Sequence, residues 1–449
     1  MNRLSRLGFI LLSAGSAIGI GNVWRFPYVA GQSGGGCFVA IYLFFLAALG
    51  IPVLVMEFAA GRAARHSIVR MHEALTPGKR LWRLHGVLGL LGSVVLMMFY
   101  TTVTGWMLVY FIRSAAGAFE GLDAPAIGAA FSAMLADPWA QGFAMAAVCV
   151  GASVICSLGV KKGLESASKW MMSSLMVLIV VLAANSLLRD EGMRGVRFLL
   201  MPDFGRMCRA GIWNVVINAM NQAFFTLSVG IGCMSIFGSY IDRRQGLLGE
   251  AINVTVLDTA VAISAGLIVL PACFAYGVEP GQGPGLVFVT LPNVFNHMPG
   301  GRLWGALFFL FMSFAALTTV LATFENIIAM LCDLTGWRRA TVCCLLIVAM
   351  PLLSLPCVLG FNAWAGFHPL GGASTVLDLE DFAVSKLALP LGAFLFALYC
   401  GHRFGWGWNR FIEEANTGTG VRFWSGLRFY CAYVLPVVIL VLCIIGVAG

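Results

Sequence analysis

Charge is what this chain has least of. Lys, Arg, Asp and Glu together make up 11% of the 449 residues, against about 25% in an ordinary soluble domain. So little charge cannot solvate a globular surface of this size, which excludes a soluble domain. The 6 histidines, His66, His72, His85, His297, His368 and His402, are scattered and lie mostly near predicted loops, so a histidine-built metal centre is excluded too. The 13 cysteines lie mostly inside apolar runs, with only Cys208 in a predicted outer loop. Neither a disulfide framework nor a zinc-ligand spacing can be drawn from them. No acid or nucleophile pair stands at catalytic spacing and no filter loop repeats, so an intramembrane enzyme and a channel both lack their residues. A long polar linker is missing as well, which makes residues 1–449 one transmembrane domain.

What fills the chain is apolar. Hydrophobic residues account for 60% and mean hydropathy is +0.90, the composition of an integral membrane protein. Runs long enough to cross a hydrocarbon core of about 30 Å fall near 7–33, 36–61, 84–117, 141–158, 163–188, 212–240, 249–277, 302–332, 341–359, 382–401 and 426–447. They predict an all-α integral membrane fold of about eleven transmembrane helices embedded in a lipid bilayer. The net charge of +8 does not indicate a nucleic-acid partner. Most basic residues collect on alternate connections, among them Arg62, Arg65, Arg70, Lys79, Arg80, Arg83, Lys161, Lys162, Arg243 and Arg244. This positive-inside bias puts the N-terminus in the cytoplasm, and eleven spans then leave the C-terminus outside. Arg3 and Arg6 precede the first apolar run in the manner of a signal peptide, but no mature-domain start follows it.

Instead the run continues through Gly15-Ser16-Ala17-Ile18-Gly19-Ile20-Gly21-Asn22-Val23-Trp24-Arg25-Phe26-Pro27. Each interior glycine costs a helix about 1 kcal/mol relative to alanine, and in hydrocarbon the freed carbonyls find no water. Such a break persists where it lines a protected polar cavity, and its carbonyls then become ligands for something small and charged. A lone glycine would ordinarily signal close helix packing. Here a second break, Phe224-Phe225-Thr226-Leu227-Ser228-Val229-Gly230-Ile231-Gly232, falls in the sixth predicted helix. The first and sixth are corresponding positions of two five-helix halves, about 7–188 and 212–401, and an odd number of helices inverts the second half. Paired interrupted helices in an inverted repeat point to a transporter's midplane site.

The run GSAIGIGNVWRFP, with Gly34-Gly35-Gly36, Gly50-Ile51-Pro52 and Glu57, resembles the neurotransmitter:sodium symporter family, in its bacterial amino-acid transporter branch. The likeness continues through FFTLSVGIG, AALTT and LDLEDF and covers nearly the whole chain. It implies the LeuT-type fold: ten core helices in an inverted five-plus-five repeat with broken helices 1 and 6, plus a peripheral eleventh near 426–447. It implies symport of sodium with an amino acid across a bacterial inner membrane. By the resemblance, one sodium site takes Ala17, Asn22, Thr226 and, where leucine-transporting relatives have asparagine, Asp258. A second takes carbonyls of Gly15, Ile18 and Ala315 with the hydroxyls of Thr318 and Thr319. Without the family, adjacent helical threonines would be read as bonding back to their own backbone. Relatives that need no chloride carry a carboxylate near the first site. Their usual glutamate is Ala262 here, and Asp258 supplies the charge instead, so chloride independence is expected.

The same resemblance places a substrate carboxylate at the amides of Ile20 and Gly21 and the hydroxyl of Tyr100, and a substrate amine near Ala17, Phe225, Thr226 and Ser228. Gly19 stands where monoamine carriers have aspartate, which implies a substrate that brings its own carboxylate. Ser16, Gly19, Leu96, Ile231, Thr319 and Thr323 would shape selectivity, with Phe225 as a lid, for a neutral, hydrophobic or aromatic side chain. Arg25 and Asp381, with Gln222 nearby, match an outer gate, and Asp333 an inner one. The inner arginine partner would precede residue 1, so Arg3 or Arg6 is expected to stand in. Relatives unwind helix 5 at a proline ten residues after a glycine; Gly163 is followed there by Ser173. The alternative is a transporter of the same fold for another zwitterion, or one coupled to a single sodium or to protons.

Overall fold

The computed structural model describes residues 5–188, 192–275 and 285–448. Arg3, one of the expected inner-gate residues, lies outside them. The regular structure of the described residues is helical, with a single isolated bridge between Gln245 and Thr419. Nine unbroken helices among them are long and apolar enough to span a membrane. They are α2 (Gly36–Ala64), α3 (Arg80–Ala115), α4 (Pro138–Ser157), α5 (Val160–Leu187), α7 (Leu247–Ala275), α8 (Gly301–Thr335), α9 (Arg339–Leu359), α10 (Val376–Gly401) and α11 (Ser425–Val447). The first span is a bent pair, α1a (Arg6–Ala17) and α1b (Gly21–Gln32), with 53° between the pieces. The sixth is α6a (Ile212–Leu227) and α6b (Cys233–Tyr240), each half too short to span alone. The two interruptions fall where the glycine-rich runs place them.

The ends of these helices follow from local chemistry. Ser5 caps α1a, its hydroxyl accepting from the Gly8 amide at 3.0 Å. Helix α10 begins six residues before the apolar run suggests, because Thr375 and Asp378 form a reciprocal capping box that satisfies the polar first turn. In helix 6 the chain leaves the helical path at Ser228, which is left-handed at φ 50°, and passes Gly230 (φ 108°) and Gly232 (φ 81°). An L side chain rarely adopts such φ values. A Cβ on Gly230 would also run into the Leu389 carbonyl of α10. The backbones of helices 6 and 10 can approach only at glycine.

Hydropathy alone missed the short connecting helices, Ile68–Leu75, Ala124–Ala136, Gly192–Leu200, Phe204–Ala210 and Trp408–Ala415. None is long enough to cross a bilayer. Helix α5 opens with a wide π turn over Val160–Glu165, so its irregularity lies at Gly163 without any proline at residue 173. The two broken helices meet at the centre of the molecule. Helix α1a packs against α8, α7, α5 and α6b, and α3 packs along α8. The second break is held from α2, where the buried Glu57 carboxylate accepts the Gly230 amide through Oε1.

Candidate substrate and ion site

Between the two breaks lies a narrow cavity lined by Ser16, Ala17, Gly19 and Gly21 of helix 1, Leu96 and Tyr100 of α3, Phe225 and Ser228 of helix 6, Thr319 of α8 and Leu389 of α10. At one end the Ile20 amide donates to the Tyr100 hydroxyl at 2.7 Å. The broken helix thus presents the Ile20 amide at its new N-terminus to the cavity, where an anion would be favoured. Gly19 is required for this approach, because a Cβ there would overlap the Tyr100 hydroxyl and crowd Thr319 Oγ1 at 2.5 Å. At the other end the Ser228 hydroxyl donates to the Ser16 carbonyl at 3.1 Å.

Beside the cavity Asp258 of α7 is fully buried. Its Oδ1 accepts from Asn22 Nδ2 at 2.8 Å, and Thr226 Oγ1 lies 2.9 Å from Oδ2. All of these partners are neutral, so among the described residues the carboxylate has no cation of the protein's own. A buried carboxylate without a counter-charge is costly, and an oxygen-lined pocket of this kind suits a small hard cation. The second cluster is made of α1a and α8. Thr319 Oγ1 lies 3.2 Å from the Gly15 carbonyl, 3.3 Å from that of Ile18 and 3.5 Å from that of Ala315. Thr318 Oγ1 lies 2.9 Å from the Ala315 carbonyl and 3.4 Å from that of Ile18. With the Ser16 carbonyl at 3.4 Å from Thr319 Oγ1, two hydroxyls have two protons for four carbonyls, so lone pairs outnumber donors and the cluster fits a cation. Both threonines do bond back to their own helix, as threonines in helices commonly do, but they also reach across to the break.

The gate residues fall on opposite sides of the cavity. Arg25 Nη1 sits 3.3 Å from Asp381 Oδ1 and donates to Ser385 Oγ at 2.8 Å, while Ser385 donates to Asp381 at 2.6 Å. The same guanidinium lies 4.5 Å from the centre of the Phe225 ring, a cation–π contact that ties the ring over the cavity to the gate. Gln222 donates to the Gly21 carbonyl at 2.9 Å. On the other side, Asp333 accepts from the amide and hydroxyl of Ser67, both at 2.7 Å, and lies 3.3 Å from His66 Nδ1. Arg6 engages Glu250 of α7 at 2.8 Å and not Asp333.

Not every expected residue reaches the cavity. Ile231 packs over Gly92 of α3, and Thr323 lies beside Cys233 behind Ser16, so neither lines it. Three residues were not singled out by sequence reasoning. Leu389 looked like any apolar residue in a membrane helix. Ser385 stands one helical turn after Asp381, the spacing at which side chains meet, and could have been found. Glu57 belongs to the motif but had no role assigned; a lone acid inside an apolar run is a signal by itself.

Comparison with known proteins decides the family. The sodium:neurotransmitter symporter family model matches residues 2–120 and 131–449. This chain belongs to that family. As a member it is a sodium-dependent membrane symporter and not an enzyme. Among its relatives in the family is the sodium-dependent transporter YhdH of Bacillus subtilis, 33% identical over 440 residues that cover 97% of this chain and 95% of that protein. The serotonin transporter of Drosophila melanogaster is 26% identical, over 98% of this chain and 75% of its own length. The crystal structure of MhsT in complex with L-phenylalanine is similar in three dimensions, with TM-score 0.90, 35% identity and 99% of each chain covered.

Proposed function

We propose that this chain is a single transmembrane domain that carries a neutral amino acid with a hydrophobic or aromatic side chain inward with two sodium ions, without chloride. It would work in a bacterial plasma membrane with its N-terminus in the cytoplasm. The observation that carries the reading is the pair of oxygen clusters flanking one cavity: Asp258 with Asn22 and Thr226 on one side, Thr318 and Thr319 with the carbonyls of Gly15, Ile18 and Ala315 on the other. The first would bind a sodium together with Ala17, and its fixed negative charge is the reason no chloride is needed. The amides at Ile20 and Gly21 with the Tyr100 hydroxyl would hold the substrate carboxylate, which displaces the bond between Ile20 and Tyr100. Carbonyls near Ala17, Phe225 and Thr226 would take its amine, with Ser228 beside them.

Among the described residues no charged side chain lines the cavity, which supports a neutral substrate, and the phenylalanine bound by MhsT supports an apolar or aromatic one. Leu96 and Leu389 would meet that side chain. Two sodium ions, each worth about 1.4 kcal/mol per tenfold gradient and about 2.3 kcal/mol per 100 mV, supply roughly 7 kcal/mol, a limiting accumulation near 10⁵-fold. One ion would supply only a few hundredfold by the same arithmetic. A thermal-shift panel of the twenty amino acids on purified protein, in sodium and then in potassium, tests the reading. Stabilisation by a few apolar or aromatic amino acids in sodium alone is expected. No response to any amino acid would sink the substrate assignment, and an equal response in potassium would sink the sodium sites.

A further inference from the structure

Away from the central cavity, a wide concavity opens where the connection between α2 and α3 meets the connection between α10 and α11. Its volume of about 520 Å³ falls within the roughly 300–1,000 Å³ of small-molecule sites. Lys79, Arg403, Arg410 and Arg428 line it, and no Asp or Glu does. Among the described residues none of these four cations lies in an ion pair. Four like charges around one concavity repel each other, and a bound anion removes that cost.

The backbone points the same way. The helix Trp408–Ala415 starts in this concavity at Gly407, and no side chain caps it. Its first-turn amides therefore lack the acceptor that a Ser or Asp would provide. Its first turn also carries Arg410, the unfavourable sign for the positive end of a helix dipole. The walls are already held in place. Lys79 Nζ donates to the carbonyls of Arg403 and Gly405, both at 3.0 Å, and Trp82 Nε1 donates to that of Phe404 at 3.1 Å.

We infer that this concavity binds the phosphate of an anionic phospholipid headgroup. A phosphate matches the donors: guanidinium forks, one ammonium and a free helix N-terminus. A lipid, as opposed to a free phosphate, is indicated by the neighbours along the chain. Leu81, Phe404, Trp424 and Phe429 are all more than half exposed, an aromatic and apolar belt of the kind that lies at a membrane interface. Basic pockets between membrane helices are known anchors for acidic headgroups.

The test uses full-length protein in detergent, titrated separately with tetraoleoyl cardiolipin, phosphatidylcholine and inorganic phosphate, with bound lipid counted by native mass spectrometry. Cardiolipin is expected to stay on the wild type and phosphatidylcholine to dissociate. The triple variant Arg403→Gln, Arg410→Gln, Arg428→Gln should bind cardiolipin about a hundredfold more weakly. A control with three exposed cations removed elsewhere, Arg70→Gln, Lys161→Gln, Lys162→Gln, should bind as the wild type does. Should the triple variant not be monodisperse, the exposed Arg428→Gln alone is read, and a loss of about fivefold is expected. Equal cardiolipin binding by wild type and variant overturns the inference. So does displacement of cardiolipin by equimolar inorganic phosphate, which would make the ligand a soluble anion.

Discussion

Asn22, at the break of the first helix, donates through Nδ2 both to the backbone carbonyl of Asp258 at 3.0 Å and to its carboxylate at 2.8 Å. One amide thus ties the interrupted strand of backbone to helix α7 and holds the Asp258 side chain in place beside the cavity. Asp258 is the only charged residue in this cluster, so its removal is the sharpest probe of the site. Asp258→Asn keeps the shape and removes the charge. Sodium affinity should fall by about 10- to 100-fold, the range for a lost charged partner. Replacing chloride by gluconate should leave wild-type uptake unchanged. A collapse of wild-type uptake in gluconate would refute chloride independence.

The second cluster is probed at its hydroxyls. Thr319→Val removes an oxygen that lies within 3.5 Å of the carbonyls of Gly15, Ile18 and Ala315. Uptake plotted against sodium concentration should lose its steepness, the Hill coefficient falling from about 2 toward 1. An unchanged Hill coefficient would assign the threonines to helix packing alone.

Gly19 has no room for a side chain, since a Cβ would meet the Tyr100 hydroxyl. Gly19→Ala should weaken substrate binding by about 5- to 150-fold, the 1–3 kcal/mol that overpacking costs. Equilibrium binding of a labelled amino acid in sodium measures it, and wild-type affinity in this variant would place the carboxylate elsewhere.

The outer gate is partly exposed, Arg25 at 24% and Asp381 at 36%, and its ion pair is worth at most about 1 kcal/mol. Asp381→Asn should therefore leave substrate affinity within about fivefold of wild type while slowing exchange. Ser385→Ala should do the same more weakly, because Ser385 bridges Arg25 to Asp381. Loss of binding in either variant, with no change in turnover, would make these residues part of the substrate site.

His72 gives a dependence on pH. It lies on the connecting helix Ile68–Leu75 outside the spans, packed on Trp82 and Tyr399. Burial, reinforced by His85 at 3.1 Å, holds its pKa well below 6.5. As pH falls through 6.5 the unfolded chain takes up a proton that the folded one refuses, so stability present above that pH is lost below it. The loss from this one group approaches about 1.4 kcal/mol per pH unit. Cooling of the melting temperature between about pH 7.5 and 5.5 should be smaller in His72→Phe than in the wild type; equal cooling would clear His72.

Much of this molecule is written in local patterns. Apolar runs of bilayer length dictate spans, because hydrocarbon tolerates no other backbone. Two glycine-rich interruptions dictate where spans break, because no partner for a freed carbonyl exists in lipid except protein or cargo. These are properties of neighbouring residues, and a sequence displays them. It does not display which side chain faces which across hundreds of residues. Ile231 and Thr323 fit the expected selectivity pattern but are not among the residues lining the cavity, while Leu389, 370 positions beyond Gly19, is. Arg6, expected to stand in as the partner of Asp333, pairs with Glu250. The basic concavity at Arg403, Arg410 and Arg428 is likewise invisible until two distant connections fold against each other. Side-chain direction depends on how helices rotate and pack, and only the tertiary structure decides that.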